Sequence, residues 1–397
     1  MHTRKGWCTD CEMPTTHHFF TWCEDIFSML LPKGELPNWY EQFLYRILEG
    51  VVYIFHLGKY TEHYTRADLT PRMWYFFETL QENGITPMIL ETRFGVTPLW
   101  KIHLGKKILR GSHLPCRPLH RNHILSIVNN KDKTKTFLKK HGFPVAEGSS
   151  FFVFNRKKIH SYVTSIGFPV VVKPRNGTFS RHVTTHITNY EILDTAIQKV
   201  ATYSPTCIVE TYLENMFVYR ITVVNGSDVF CVKQEMAHVE GDGVHTLSEL
   251  VEEKNNKPYG EFSRKNHPTL EPLTLNKKTN DLLKKENLSR ESVPAQGQRV
   301  YLQEDPFLRL GGDITEVTDT IHPDNRELAI RVASASGMSL VGIDLMTHDI
   351  QNSWKEKPTA ILELNEMPCI EIHRYPSAGT PTDPAKSIVR ELVIQYT

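Results

Sequence analysis

Two short apolar segments near the C-terminus, SLVGIDLM (residues 339–346) and AILELNEMP (residues 360–368), constrain this chain most. Each has the length and aliphatic content of a buried strand, and each carries an acid. A carboxylate inside such a strand is costly unless something pairs with it. Glu363 and Asn365 are two apart and leave the same face of their strand, while Leu362 and Leu364 turn the other way. Asp344, Glu363 and Asn365 therefore offer hard oxygen ligands on neighbouring strands. That set suits Mg2+ (or Mn2+) held by few protein groups together with phosphates. The competing reading has Asp344 and Glu363 simply neutralised by buried Lys or Arg.

A second segment, VVVKPRNGTFSRHVTTHI (residues 170–187), adds the opposite charge. Lys173 ends a β-branched run, and Pro174 holds its backbone extended. An ammonium at the lip of a buried strand can meet a phosphate as a point charge. Lys133, near the start of KDKTKTFLKKHG, is a second cation of this kind. Glu210 closes the strand TCIVE, and the following Tyr212 and Leu213 form a hinge suited to a flat base. Two lysines, a hinge and an oxygen cage, in that order, describe a nucleotide site.

Periodicity organises the rest. RMWYFFETLQENG places Met73, Phe76, Phe77 and Leu80 on one helical stripe that stops at Gly84. Helices closed by Gly142 and Gly167 follow, the second with Asn155 available as its N-cap. Thr188 with Glu191, and Thr246 with Glu249, read as capping boxes. Asn225-Gly226 joins two alternating strands as a hairpin. HPDNRELAIRVASASG is a helix ending at Gly337. Residues 101–123 read as a basic, turn-rich connector, and LPNWYEQFLYRILEGVVYIF as core or a dimer face. No repeat or low-complexity tract is evident.

The composition is that of a globular protein, with 40% hydrophobic and 23% charged residues. A net charge of +1 argues against a nucleic-acid binder, although eleven Lys or Arg and one acid (Asp132) lie between Lys101 and His141. Such a stretch is a solvated face or a means of drawing in an acidic substrate. Seven scattered cysteines without a secretory leader point to reduced thiols and a cytoplasmic location. No apolar run reaches the ~20 residues of a membrane span. The opening CTDCEMPTTHHFFTWC sets Cys8 and Cys11 near His17, His18 and Cys23. It reads either as an extension or as a zinc site.

From about Asn129 onward the ordered motifs NKDKTKTFLKKHGFPV, FPVVVKP, IVETYL, YRITVV, AHVEGDGVHTLSEL, VPAQGQRVYL, GGDITEVTDTIHPDN, GIDLM, ILELNEMP and HRYPSAGTP resemble the ATP-grasp superfamily. Within it they are most similar to the ATP-grasp region of cyanophycin synthetase and its amino-acid ligase relatives. The resemblance implies an α/β (α+β) fold in which two α/β subdomains clasp a nucleotide, preceded by a small α/β domain. The boundaries expected are 1–125 for the N-terminal domain and 126–397 for the ATP-grasp domain, split into 126–212 and 213–397. It further implies ATP- and Mg2+-dependent joining of a carboxylate to an amine through an acyl phosphate, with amino acids or short peptides as substrates.

Residue by residue, the resemblance gives ATP phosphates to Lys133 and Lys173, the adenine pocket to Glu210, Tyr212, Leu213 and Leu362, and the metal to Asp344, Glu363 and Asn365. It gives Arg220 the transferring phosphoryl group or a substrate carboxylate, and it places Ser377 and Gly379 at the acceptor pocket. Three stretches depart from the pattern. The loop after Lys173 keeps Gly177 but carries Ser180 and His182 where relatives have glycine, with Arg181 left to reach phosphate. The hinge lacks the ribose-binding acid. LQEDPFLRLGG has Gln303 and Phe307 where Arg and Asn are usual, with Arg309 nearby as a catalytic candidate. A nucleotide-binding pseudoenzyme, or a ligase that modifies a ribosomal peptide or protein, is the alternative.

Overall fold

A computed structural model describes residues 38–115, 128, 131–175, 182–303 and 308–397, together with Cys8, His18, Thr21, Trp22 and Ile26. Gly177, Ser180, Arg181, Phe307, Cys11, His17 and Cys23 lie outside the described residues, as does the side chain of Arg309.

Helices α1 (Asn38–Ile54) and α2 (Pro71–Glu82) flank an antiparallel sheet of β1 (Gly58–Thr61), β2 (Met88–Thr92), β3 (Gly95–Leu104) and β4 (Lys107–Ser112), in that order. The expected stripe Met73, Phe76, Phe77 and Leu80 is fully buried. The segment read as a basic connector is instead the β3–β4 hairpin as far as Ser112. Buried Trp100, Ile102, Leu104 and Leu109 supply the alternation that the basic side chains obscured. Lys101 and Arg110 face each other across it and share Glu49 of α1, at 2.9 and 2.7 Å. On α1, Val52 is buried, whereas Phe43, Leu44, Ile47, Leu48 and Ile54 are exposed, so this helix is largely not core.

Next come α3 (Lys131–Lys140), β5 (Gly148–Phe152), α4 (Arg156–Ile166), β6 (Val170–Pro174), β7 (Thr184–Ile187), α5 (Tyr190–Ala201) and β8 (Thr206–Thr211). The strands form an antiparallel sheet ordered β5–β8–β6–β7. Ile159, Val163, Leu193 and Ile197 pack with Val170, Val172, Cys207 and Val209. Strand alternation therefore sends Lys173 and Glu210 to the opposite face. Asn155 occupies the N-cap position of α4 without a side-chain cap bond. The N-cap of α5 is Asn189 rather than Thr188: the Asn189 side chain accepts from the Ile192 amide, leaving the expected box one residue out of phase.

The remaining strands are β9 (Phe217–Val224), β10 (Asp228–Glu235), β11 (His238–Glu240), β12 (Arg299–Tyr301), β13 (Asp313–Glu316), β14 (Leu340–Thr347) and β15 (Thr359–Asn365). They are joined by α6 (Leu247–Asn256), α7 (Lys277–Lys285) and α8 (Pro323–Ser336), and followed by α9 (Glu371–Arg374) and α10 (Pro384–Tyr396). The central antiparallel sheet runs β13–β10–β9–β14–β15. The Asn225-Gly226 hairpin, the Thr246–Glu249 capping box and the left-handed stop at Gly337 all form. Leu328 and Val332 of α8 bury one sheet face with Ile221, Val223, Ile343 and Leu345. Arg220, Thr222 and Asp344 alternate to the other face.

Packing crosses residue 125. Ile388, Val389 and Leu392 of α10 join Phe76, Leu80 and Trp100 in one apolar cluster that also takes Val224 and Leu340. Among the described residues no helix is long and apolar enough to cross a membrane.

Candidate nucleotide and metal site

Helix α3 brings the first cations. Thr134 and Leu138 are buried, so Lys131 and Lys135, one turn apart, flank that inward stripe, while Lys133 lies on the exposed side. The helical phase thus turns Lys131 and Lys135 inward and leaves Lys133, expected to hold phosphate, exposed. Lys135 donates to Glu210 at 2.8 Å, and Lys173 donates to the other oxygen of the same carboxylate. Burial would raise the Glu210 pKa, but Lys173 and Lys135 outweigh it and hold the carboxyl below its usual range. Gly148 makes room for this arrangement, since a Cβ there would lie 2.5 Å from the Glu210 Cβ and 2.7 Å from the Lys135 Nζ.

The acids come from β14 and β15. Asp344 and Glu363 are direct cross-strand partners, and Gly342 pairs with Asn365. A bulge follows, because Leu345 pairs with Ile361 and leaves Leu362 as the extra residue. The bulge lets Ile361 and Leu364 both enter the core, while Leu362 and Glu363 stay half-buried. Arg220, on β9 beside Asp344, grips that carboxylate with two donors: Nε contacts Oδ1, and Nη2 lies 3.0 Å from Oδ2. Both side chains are only 14% exposed. Lys131 Nζ lies 3.6 Å from Glu363 Oε2, tying α3 to the acidic strand β15.

The electrostatics are asymmetric. Burial pushes Asp344 up, Arg220 opposes it and Glu363 adds to it, so the net direction is upward. Burial would also raise Glu363, but Lys131, Arg220 and Lys173 bring it below its ordinary value. Lys131 is pushed down by burial and by neighbouring Lys173, with Glu363 acting against both. Lys131, Lys173, Glu210 and Glu363 thus act on one another in a single field. Arg220 is raised despite burial because Asp344 faces it.

Of the residues expected at the site, Lys173, Glu210, Arg220, Asp344, Glu363 and Asn365 are brought together in this field. Tyr212 and Leu213 follow β8 half-buried; the Tyr212 amide donates to the Pro169 carbonyl at 3.0 Å, and its ring meets His186 edge-on. Ser377 and Gly379 are packed on β13. The Ser377 hydroxyl donates to the Ile314 carbonyl (2.7 Å) and accepts from the Ile314 amide (3.0 Å). Gly379, at φ +85°, presses on the Glu316 backbone, where a Cβ would sit 2.4 Å from the carbonyl oxygen.

Sequence reasoning missed several residues. Lys131 and Lys135 were findable from their one-turn spacing. Arg72 was not: it reaches from α2 to the Met367 carbonyl (2.9 Å), the Cys369 sulfur (3.0 Å) and Glu371 (3.8 Å), bringing an N-terminal guanidinium to the loop after β15. The buried Glu316–His373–Thr222 chain, at 3.1 and 2.9 Å, was likewise invisible.

The donor set fits a magnesium ion. Two abutting carboxylates and an amide are hard oxygen ligands, and burial first, with Glu363 adding to it, raises Asp344 against the pull of Arg220.

No family model matches the chain. It is 33% identical over 263 residues to cyanophycin synthetase of Synechocystis sp., covering 66% of this chain and 30% of that protein. It is 30% identical over 256 residues to the glutathione biosynthesis bifunctional protein GshAB of Clostridium perfringens, covering 64% of this chain and 32% of the relative. The crystal structure of a bifunctional glutathione synthetase from Pasteurella multocida superposes with a TM-score of 0.60 at 26% identity, over 80% of this chain and 42% of that one. The chain thus spans about a third of the length of the curated relatives it matches. Its fold is that of the ATP-grasp superfamily, and over two thirds of its length it resembles cyanophycin synthetase.

Proposed function

We propose that this protein is an ATP- and Mg2+-dependent carboxylate–amine ligase acting on amino acids or short peptides. The observation that carries the proposal is that Lys131 meets Glu363 of the Asp344–Glu363 pair, while Lys173, whose charge also acts on Glu363, shares Glu210 with Lys135. Four cations, counting Arg220, stand against three carboxylates, counting Glu210, which leaves an excess suited to a polyphosphate. Phosphoryl transfer asks for positioning and opposite charge rather than covalent help from the protein. Magnesium, held by Asp344, Glu363 and Asn365, would neutralise phosphate charge. Lys131 and Lys173 hold phosphate oxygens, and Glu210 keeps Lys173 and Lys135 aimed. Arg220 orients Asp344 and faces the transferring group. In the overall reaction a substrate carboxylate oxygen bonds to the γ-phosphorus as ADP leaves. An amine then attacks the acyl carbon and expels phosphate, leaving an amide.

Phosphate release requiring both an acid and an amine is the expected result. ATP binding without turnover in any amino-acid mixture would instead favour a nucleotide-binding interaction protein. The pairing of Asp344 with Arg220 gives that second reading its support. Buried thiols at Cys207 and Cys231 accord with a reducing, cytoplasmic setting. A homodimer through the exposed apolar face of α1 belongs to the same proposal. A monomer in sedimentation velocity removes it.

A further inference from the structure

His182, in the stretch after Lys173 where the resemblance leads one to expect glycine, is buried at 1% exposure and has a left-handed backbone (φ +56°). Its Nε2 lies 4.0 Å from the sulfur of Cys8. His18 completes the group. Ligand atoms of Cys8, His18 and His182 all lie within 4.8 Å of one another, although His182 is 174 residues from Cys8 in the chain. We propose that these three residues form a zinc site that fastens the N-terminal segment to the turn entering β7.

Three observations beyond the clustering support a metal. First, the Nδ1 of His18 is 3.0 Å from the Thr202 carbonyl oxygen. A carbonyl can only accept, so Nδ1 carries the proton and Nε2 keeps its lone pair. This is how metal-bound histidines are commonly oriented, with the far ring nitrogen donating to a backbone carbonyl. Second, both imidazoles are fixed by one aromatic ring. Tyr203 stacks on His182 with centroids 4.6 Å apart and meets His18 edge-on at 5.5 Å. Third, the segment is anchored beside the site: Trp22 Nε1 donates to the Ala201 carbonyl at 3.1 Å, so two carbonyls at the end of α5 receive donors from it.

The donor chemistry selects the ion. Bonds of about 2.3 Å to sulfur and 2.0–2.1 Å to nitrogen place tetrahedral ligand atoms about 3.5 Å apart, so metal binding draws together atoms that now lie 4.0 Å apart in one pair and within 4.8 Å in all. One thiolate and two imidazoles favour zinc over magnesium, which keeps this site distinct from the oxygen cage. Binding releases the Cys8 thiol proton, and three protein ligands leave a fourth position for water. The proposal is independent of the ligase reading.

The test uses the full chain, stripped of metal under reducing conditions and titrated with zinc against a chromophoric chelator, and separately with cobalt(II). One zinc per chain is expected, with a cobalt spectrum showing thiolate-to-metal charge transfer and intense tetrahedral visible bands. Cys8→Ser and His182→Gln should each weaken zinc binding by at least the 10–100-fold that even an outer partner contributes. Cys207→Ser should leave it unchanged. Sub-stoichiometric zinc, a six-coordinate cobalt spectrum without charge transfer, or full affinity in Cys8→Ser would overturn the site. The cobalt spectrum of the unmutated chain reports on it even where His182→Gln does not fold.

Discussion

The central sheet holds a buried carboxylate cluster on each side of the β9–β10 hairpin, and the two differ in how their charge is met. At one edge Asp313 is gripped by Arg264, whose side chain is fully buried, and by Lys254 at 2.6 Å, with His238 at 3.4 Å. Burial would raise its pKa, but Lys254 and Arg264 pull it below the usual value. At the other side Asp344 has Arg220 and abuts Glu363; burial first, and then Glu363, leave its pKa raised despite Arg220. One cluster is closed on itself and fastens the α6 layer to the sheet. The other keeps a crowded pair of oxygens that a divalent cation would relieve. A buried acid is therefore informative about function through what remains unmet after its neighbours are counted.

The largest effect separates the two clusters. Glu363→Gln should lower phosphate release by about 100–1000-fold, the scale of losing one preorganised electrostatic contact, with the unfolding midpoint little changed. Asp313→Asn should do the reverse. It strands Arg264 and costs about 3–5 kcal/mol in urea unfolding, while turnover per folded molecule persists. Equal turnover losses in the two variants would erase the distinction.

Within α3, Lys131→Met should reduce nucleotide affinity about 10–100-fold, on the scale of one or two charge-assisted contacts. Lys133→Met should change it by less than about 2-fold, as a surface charge does. Equilibrium dialysis with a labelled nucleotide decides between the helical phases.

A smaller effect belongs to the closed side. His267, beside Arg264, is driven from 6.5 to about 4, by burial first and then by Arg264 and Arg66. Its Nδ1 accepts from the Thr269 and Leu270 amides at 3.2 and 3.1 Å, bonds that protonation there would break. Between these pH values the unfolded chain binds more protons, so the His267 contribution is full above pH 6.5 and is lost as the pH falls toward 4. Thermal midpoints should drop less steeply across that window in His267→Gln than in the unmutated protein. Smallest of all, Thr246→Ala removes an exposed helix cap and should cost about 1 kcal/mol in chemical denaturation without altering nucleotide binding.

What could be read from sequence was local. Strand alternation around Asp344 and Glu363 gave their neighbouring strands, and glycine stops gave the ends of α2, α3 and α8. Errors arose where phase or distance decided. Thr188 lost the cap to Asn189 by one residue, and part of a helical turn separates the exposed Lys133 from the inward Lys131 and Lys135. Basic side chains hid the β3–β4 hairpin because Glu49, far away in sequence, accepts two of them. Arg72, Gly148 and the Cys8–His18–His182 group depend on contacts between distant segments, which no local pattern encodes.

Calorimetric titration of a non-hydrolysable ATP analogue, with and without Mg2+, into the unmutated chain and Glu363→Gln is the most direct test of the account. Tight binding that needs Mg2+ in the first and loses that dependence in the second is the predicted result. Identical affinities with and without Mg2+ in the unmutated chain, or an undiminished Mg2+ dependence in Glu363→Gln, would contradict it.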